Sequence, residues 1–235
     1  MVLMALMVVT SMSVTRPAFA DAKKSRTHQV LTNNVHIAEA PRWLKRTRVE
    51  KVIDRIQMLL EWDIRRIEVV WHHTPESFAQ AHNLSPLVVA FARKSDNSIH
   101  LSPKVDDKTF DAVFGHELVH VISYQKYKDA IPRWLEEGLA NHLSRNGKVN
   151  YKWLAQRPQP TDVRQLTHMD RTSEEAVQYR YVASQALTEM IAAKCSLGTL
   201  LQLSVEKSVE NYLATYCEIS DLNADFKKWI TKKSR

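Results

Sequence analysis

The sequence predicts an α+β chain, with a small sheet in an N-terminal lobe, a C-terminal lobe built only of helices, and a cleft between the two. Three observations predict it. Runs rich in β-branched and aromatic residues, Arg66 to His72, Leu87 to Arg93 and Ser98 to Ser102, all precede residue 103. From about Asp106 onward, apolar residues recur at helical spacing. The pattern His-Glu-x-x-His, at His116 to His120, falls at the junction of the two regimes. With 235 residues and 44% hydrophobic content, the chain can bury the core of one domain.

Residues 1–20 read as a secretory signal peptide. An apolar run from Val2 to Val9 continues more weakly to Val14 and ends in Ala18-Phe19-Ala20, an A-x-A cleavage pattern, before Asp21. The run is too short to span a bilayer as a mature helix. No Lys or Arg precedes it, which leaves open a true start further upstream or an ordinary buried helix. Export to a periplasmic or extracellular space is therefore expected, with no stable transmembrane segment after cleavage. The formal net charge is +7, and removal of residues 1–20, which hold Arg16 and no acidic residue, leaves +6. Cys195 and Cys217 could pair in an oxidising compartment or stand as two separate buried thiols.

Residues 21–40 show no clear period and read as a polar lead-in to a single domain over 41–235, its α/β lobe about 41–128 and its helical lobe about 129–235. Pro41 is expected to open an amphipathic helix to about Glu61. The basic residues along it, Arg42, Lys45, Arg46, Arg48, Lys51 and Arg55, read as a solvated face. Arg66 to His72 is a strand, and Thr74 caps a short helix with Pro75 in its first turn. Leu87 to Arg93 and Ser98 to Ser102, separated by a turn at Asp96-Asn97, suggest a hairpin. A helix carrying the His-Glu-x-x-His pattern should run from Asp106 or Asp107 to about Tyr127, and another should open at Pro132. Further helices are expected over Leu154 to His168, interrupted by Pro158 and Pro160, then Ser173 to Lys194, Leu197 to Lys207, and finally through Phe226 and Trp229.

On a helix, His116 and His120 lie one turn apart on one face, so both imidazoles can aim at one point. Glu117, about 100° round the helix from His116, reaches the edge of that point. Such a pair suits a zinc ion with a base beside it. A hydrolytic zinc site needs a third protein ligand. The metzincin arrangement would place Gly and His where Ser123 and Lys126 stand. A glutamate from the next helix is the remaining common solution, and Trp134-Leu135-Glu136-Glu137-Gly138-Leu139-Ala140 offers Glu137.

Together, His116-Glu117-Leu118-Val119-His120 and Pro132-Arg133-Trp134-Leu135-Glu136-Glu137-Gly138-Leu139-Ala140 resemble the gluzincin metallopeptidases, especially the small peptidase MA-like group, and more distantly the aminopeptidase N and thermolysin families. The resemblance covers both motif helices well and, more loosely, Ile67 to Trp229. It implies a zincin-like fold with a small mixed sheet, one zinc ion on His116, His120 and Glu137, Glu117 as general base, and a peptide or protein substrate. It also implies that Ser98 to Ser102 is the sheet edge over the cleft, where His100 could line it. A tyrosine from the helical lobe often meets the oxyanion in that family. Tyr181, in a Tyr-x-x-Ser match with Ser184, shares its helix face with polar Gln185 and Thr188, whereas Tyr179 shares its face with Val182, Ala183, Ala186 and Met190 and reads as core. Asn141 stands one turn after Glu137, where thermolysin-like relatives carry an acid; it could fix a histidine tautomer or simply face solvent.

Other readings stand beside this one. The histidines could be structural, or the fold could be kept by a non-catalytic peptide-binding protein, although such a binder has no need of Glu117. The four glycines are too dispersed for a phosphate-cradling loop. Lys227, Lys228, Lys232, Lys233 and Arg235 raise an anionic-surface or nucleic-acid adaptor, but aromatic and basic residues do not interleave, so no nucleic acid is expected. His72, His73, His82, His142 and His168 lack ligand spacing and read as surface or satisfied histidines. The lack of long enclosing domains suggests an open cleft, and hence an endopeptidase or a processor of envelope proteins or wall peptides.

Overall fold

A computed structural model describes residues 27–60, 63–84, 86–144, 147–168 and 173–235. The predicted signal peptide and the first residues of the lead-in lie outside these, as does Glu61, the expected end of the first helix. The described residues form a mixed α+β fold with one five-stranded sheet and nine helices. All five strands lie between Thr27 and Leu101, and only helices follow Phe110.

The lead-in is not structureless from Thr27 on. It forms a hairpin of β1 (Thr27–Leu31) and β2 (Val35–Pro41), so the sheet-bearing lobe begins well before residue 41. Thr32 Oγ1 accepts from the N–H groups of Asn34 and Val35 and closes the turn. A bulge in β2, where Ala38 and Glu39 stand opposite the single residue Gln29 of β1, shifts the pairing, so the buried residues Ile37 and Ala40 stand three apart rather than two. That shift hides the strand period from the sequence. Pro41 ends β2 instead of opening a helix; after a turn, α1 runs over Arg46–Leu60 and buries Val49, Val52, Ile53, Ile56 and Leu60. Arg48, on its charged side, pairs with Asp107 and Asp111, so that face is partly committed.

Then come β3 (Ile67–Trp71), α2 (Pro75–Gln80), β4 (Ala90–Arg93) and β5 (Ser98–Leu101). Thr74 accepts from Ser77 N–H to cap α2, as expected. The sheet order is β1-β2-β3-β5-β4, with β2, β3 and β5 parallel and the outer strands antiparallel to their neighbours. β4 and β5 form the expected hairpin, but β4 is the edge. Ser98 to Leu101 is held on both sides, which corrects the expectation that it borders the cleft. The register puts Val35, Ile37, Ile67, Val69, Ile99 and Leu101 on one face, all buried. That face shares one buried core with α1 and with α3 (Phe110–Tyr127), whose Phe110, Phe114, Leu118 and Ile122 are fully buried. Helix α3 starts a few residues later than expected because the Asp106 carboxylate accepts from Lys108 and Thr109 N–H and forms a turn first.

The helical lobe comprises α4 (Arg133–Leu143), α5 (Tyr151–Ala155), α6 (Glu174–Ala192), α7 (Leu197–Leu203), α8 (Val209–Thr215) and α9 (Leu222–Lys233), with a 3-10 turn at Val163–His168. Helix α8 was not expected, and Leu154 to His168 is far less helical than its composition suggested. Pro132 caps α4 from outside its first turn. Cys195 and Cys217 form a disulfide that ties the end of α6 to the segment after α8. Among the described residues no helix is long and apolar enough to cross a membrane.

Candidate metal centre

Helical spacing does what the motif requires. His116 and His120, half-buried on α3, bring their Nε2 atoms to 3.2 Å of each other. Glu137, buried on α4, places Oε2 3.6 Å from His116 Nε2 and 3.9 Å from His120 Nε2. Two imidazole nitrogens this close share either a proton or a metal cation. Ligands about 2.0 to 2.1 Å from a tetrahedral metal stand about 3.4 Å from one another, and the three separations fall around that value. This group could hold a metal ion, and two imidazoles with one carboxylate leave a fourth position open.

Gly138 explains how α4 delivers Glu137 while α6 approaches. A Cβ at Gly138 would sit 2.8 Å from the Ser184 carbonyl oxygen and 2.1 Å from Thr188 Oγ1. Only a glycine allows α6 to pack this closely, and that packing brings Arg180 and Tyr181 over the site.

The residue that orients His120 is Glu136, which sequence spacing does not single out. His120 Nδ1 donates to Glu136 Oε1 at 2.9 Å, which leaves Nε2 turned to the other two ligating atoms. Lys94 Nζ in turn donates to Glu136 Oε2 at 3.1 Å. Burial opposes ionisation of Glu136, but His120 and Lys94 overcome it and hold its carboxyl down at about 2. Burial likewise opposes charge on His120, yet Glu136, Glu137 and Glu117 raise it to about 9. His116, without such a pair, is pushed down to about 4 by burial and by His120. Asn141 does not face solvent: it is 1% exposed, interacts with His116, and donates from Nδ2 to the Tyr181 carbonyl at 3.5 Å. Its Oδ1 is buried without a hydrogen-bond partner of ordinary geometry.

Glu117 is buried, and that burial pushes its carboxyl up to about 7, His120 and the Ala92 N–H working in the opposite sense. Ala92 belongs to the edge strand. Ser102 N–H donates to the Val89 carbonyl, and Phe91 and Ala92 face His100 and Ile99. Since paired and unpaired backbone groups alternate along an antiparallel strand, Ala90 and Ala92 turn theirs outward, to the cleft.

A cleft of about 530 Å³ is lined by His116, Glu117, His120, Glu137, Ala92 and Tyr181, with His82 at its margin. A contiguous pocket of about 160 Å³ runs beneath Leu87, Val88 and Val113 to Arg180. The Tyr181 ring stands edge-on to His116 at 5.7 Å, whereas Tyr179 points its hydroxyl to Gln159 at 3.4 Å, away from the site. His100 does not line the cleft; it lies behind β4, stacked on Phe91 at 4.5 Å. The His168 side chain lies outside the described residues. Arg180 was also missed, although a lone cation between Tyr179 and Tyr181 in an otherwise neutral run from Val177 to Thr188 is a visible signal. Comparison of the sequence with protein-family models and with curated proteins finds no match.

Proposed function

We propose that the chain is an exported zinc-dependent metallopeptidase of the gluzincin, peptidase MA-like type, with a zincin-like fold. The observation that carries this is the convergence of His116, His120 and Glu137 with the buried carboxyl of Glu117 beside them in an open cleft. The sheet-then-helix order and the disulfide, which suits an oxidising compartment, support the fold type and the export.

His116, His120 and Glu137 would hold the zinc, which when bound supplies Lewis-acid polarisation of a carbonyl and acidifies a water molecule. Glu117 takes a proton from the attacking water and passes it to the leaving amine. A carboxyl held near neutrality by burial is suited to both halves of that exchange. Glu136 fixes the His120 tautomer, and Tyr181 donates to the developing oxyanion. The outward-facing backbone of Ala90 and Ala92 lets an extended peptide lie along β4 as an added strand.

The test is cleavage of a broad peptide library by the mature chain and by Glu117→Gln, with bound metal measured in both. Zinc in both and cleavage only by the unmutated chain is the expected result. Zinc without cleavage in either would favour a non-catalytic peptide-binding protein.

A further inference from the structure

Arg180 is the one cation at the cleft with neither a carboxylate within 4 Å nor exposure to water, among the described residues. It is 5% exposed, and its Nε and Nη1 are buried without a hydrogen-bond partner. The guanidinium lies 5.2 Å from the Tyr181 ring centroid, which occupies its face, and the Tyr181 hydroxyl is a polar neighbour. The Tyr181 hydroxyl is a hydrogen-bond partner of the guanidinium, while Nε and Nη1, one on each two-donor edge of the plane, remain to be met. A buried, unpaired guanidinium is costly to a fold, and its planar fork matches a carboxylate with two parallel hydrogen bonds.

The surroundings narrow the ligand further. Arg180 closes one wall of the smaller pocket, whose other walls include Leu87, Val88, Val113 and Val177, with His116 and Glu117 at its mouth. Its volume of about 160 Å³ is close to the roughly 150 Å³ that accommodates a benzene ring. One apolar side chain fits.

We infer that Arg180 receives the α-carboxylate of a peptide whose last residue is apolar, that residue's side chain filling the pocket, so that the chain acts as a carboxypeptidase. This rests on the peptidase reading and replaces the endopeptidase expectation. Hydrolysis breaks the last C–N bond and forms a C–O bond from water. One water proton passes through Glu117 to the leaving amine, and a shortened peptide and a free amino acid result.

The test measures binding separately from turnover. In the full chain carrying Glu117→Gln, calorimetry compares acetyl-Ala-Ala-Phe with its C-terminal amide, and with an amidated peptide bearing glutamate in place of the phenylalanine. The free acid should bind about tenfold to a hundredfold more tightly than the amide. Arg180→Met should erase that difference with little change in the thermal midpoint, since it strands no carboxylate within 4 Å and leaves only the Tyr181 hydroxyl to find another partner. Arg180→Lys, which keeps the charge but loses the fork, should retain part of it and serves if the methionine variant does not fold. Equal binding of acid and amide, or a preference that survives Arg180→Met, overturns the inference. Preference for the glutamate amide overturns the carboxypeptidase assignment and gives Arg180 an acidic side chain instead. If the unmutated chain cleaves free and amidated peptides equally well, the peptidase reading stands and this one falls. A carboxylate preference without any cleavage leaves Arg180 as a binding residue and removes the peptidase reading.

Discussion

Two pairs of histidines touch among the described residues, and their surroundings differ. His116 and His120 approach at 3.2 Å through Nε2 atoms, with the Glu137 carboxylate 3.6 and 3.9 Å away. His72 and His100 approach at 3.0 Å, from His72 Nε2 to His100 Nδ1. In the second pair the hydrogens have a direction. Ser98 Oγ donates to Asp96 at 2.6 Å, so it accepts from His100 Nε2, and His100 Nδ1 accepts from His72. Protons satisfy that contact, and Phe78 and Phe91 pack beside it. In the first pair Glu136 takes the outer hydrogen of His120, and the two Nε2 atoms face each other and the Glu137 carboxylate, an arrangement that a metal ion could bridge. Histidine proximity alone therefore does not mark a candidate metal centre; the third converging group, the Glu137 carboxylate, does.

The sharpest break of the comparison is a ligand exchange. His116→Ala or Glu137→Ala should abolish metal retention and peptide cleavage, whereas His100→Gln should spare both, as read by elemental analysis and a peptide assay. Removal of metal by a chelator should silence cleavage and re-addition of zinc restore it. Glu117→Gln should keep the metal but lower kcat about 10²- to 10⁴-fold.

The His72–His100 pair makes its own prediction, in stability. Burial, with Arg93 and His72 nearby, pushes His100 down from 6.5 to about 4. The unfolded chain therefore binds a proton below about pH 6.5 that the folded chain refuses until about pH 4. Stability from this residue is full above pH 6.5 and falls as the pH drops through that window, by on the order of 3 kcal/mol. Urea unfolding across pH 4 to 7 should show a shallower acid slope for His100→Gln; an unchanged slope would show that His100 does not titrate this way.

Smaller effects test the supports of the metal pair. Glu136→Gln should weaken zinc affinity about 10- to 100-fold, and Lys94→Met, one step further out, should weaken it less. Gly138→Ala should cost about 1–3 kcal/mol in unfolding free energy by pushing α6 off α4.

The first pair was legible in the sequence and the second was not. Helical periodicity alone puts His116, Glu117 and His120 together, and a glutamate in the following helix is the natural third member. Glu136, Lys94 and Arg180 depend on which long-range partner a side chain finds, which spacing does not encode. The same holds for strand order: the runs around Val69, Phe91 and Ile99 show as strands, but nothing local says that β5 lies inside and β4 at the edge. The β1–β2 hairpin was hidden by its bulge, and Tyr181 was separable from Tyr179 only because their helix faces differ in polarity.

The most direct measurement of the central claim is a zinc titration of the full chain by native mass spectrometry, run beside His120→Ala and His100→Gln. One tightly held zinc per chain, kept in His100→Gln and lost in His120→Ala, is the predicted result. No zinc held by the unmutated chain, or zinc still held by His120→Ala, would contradict it.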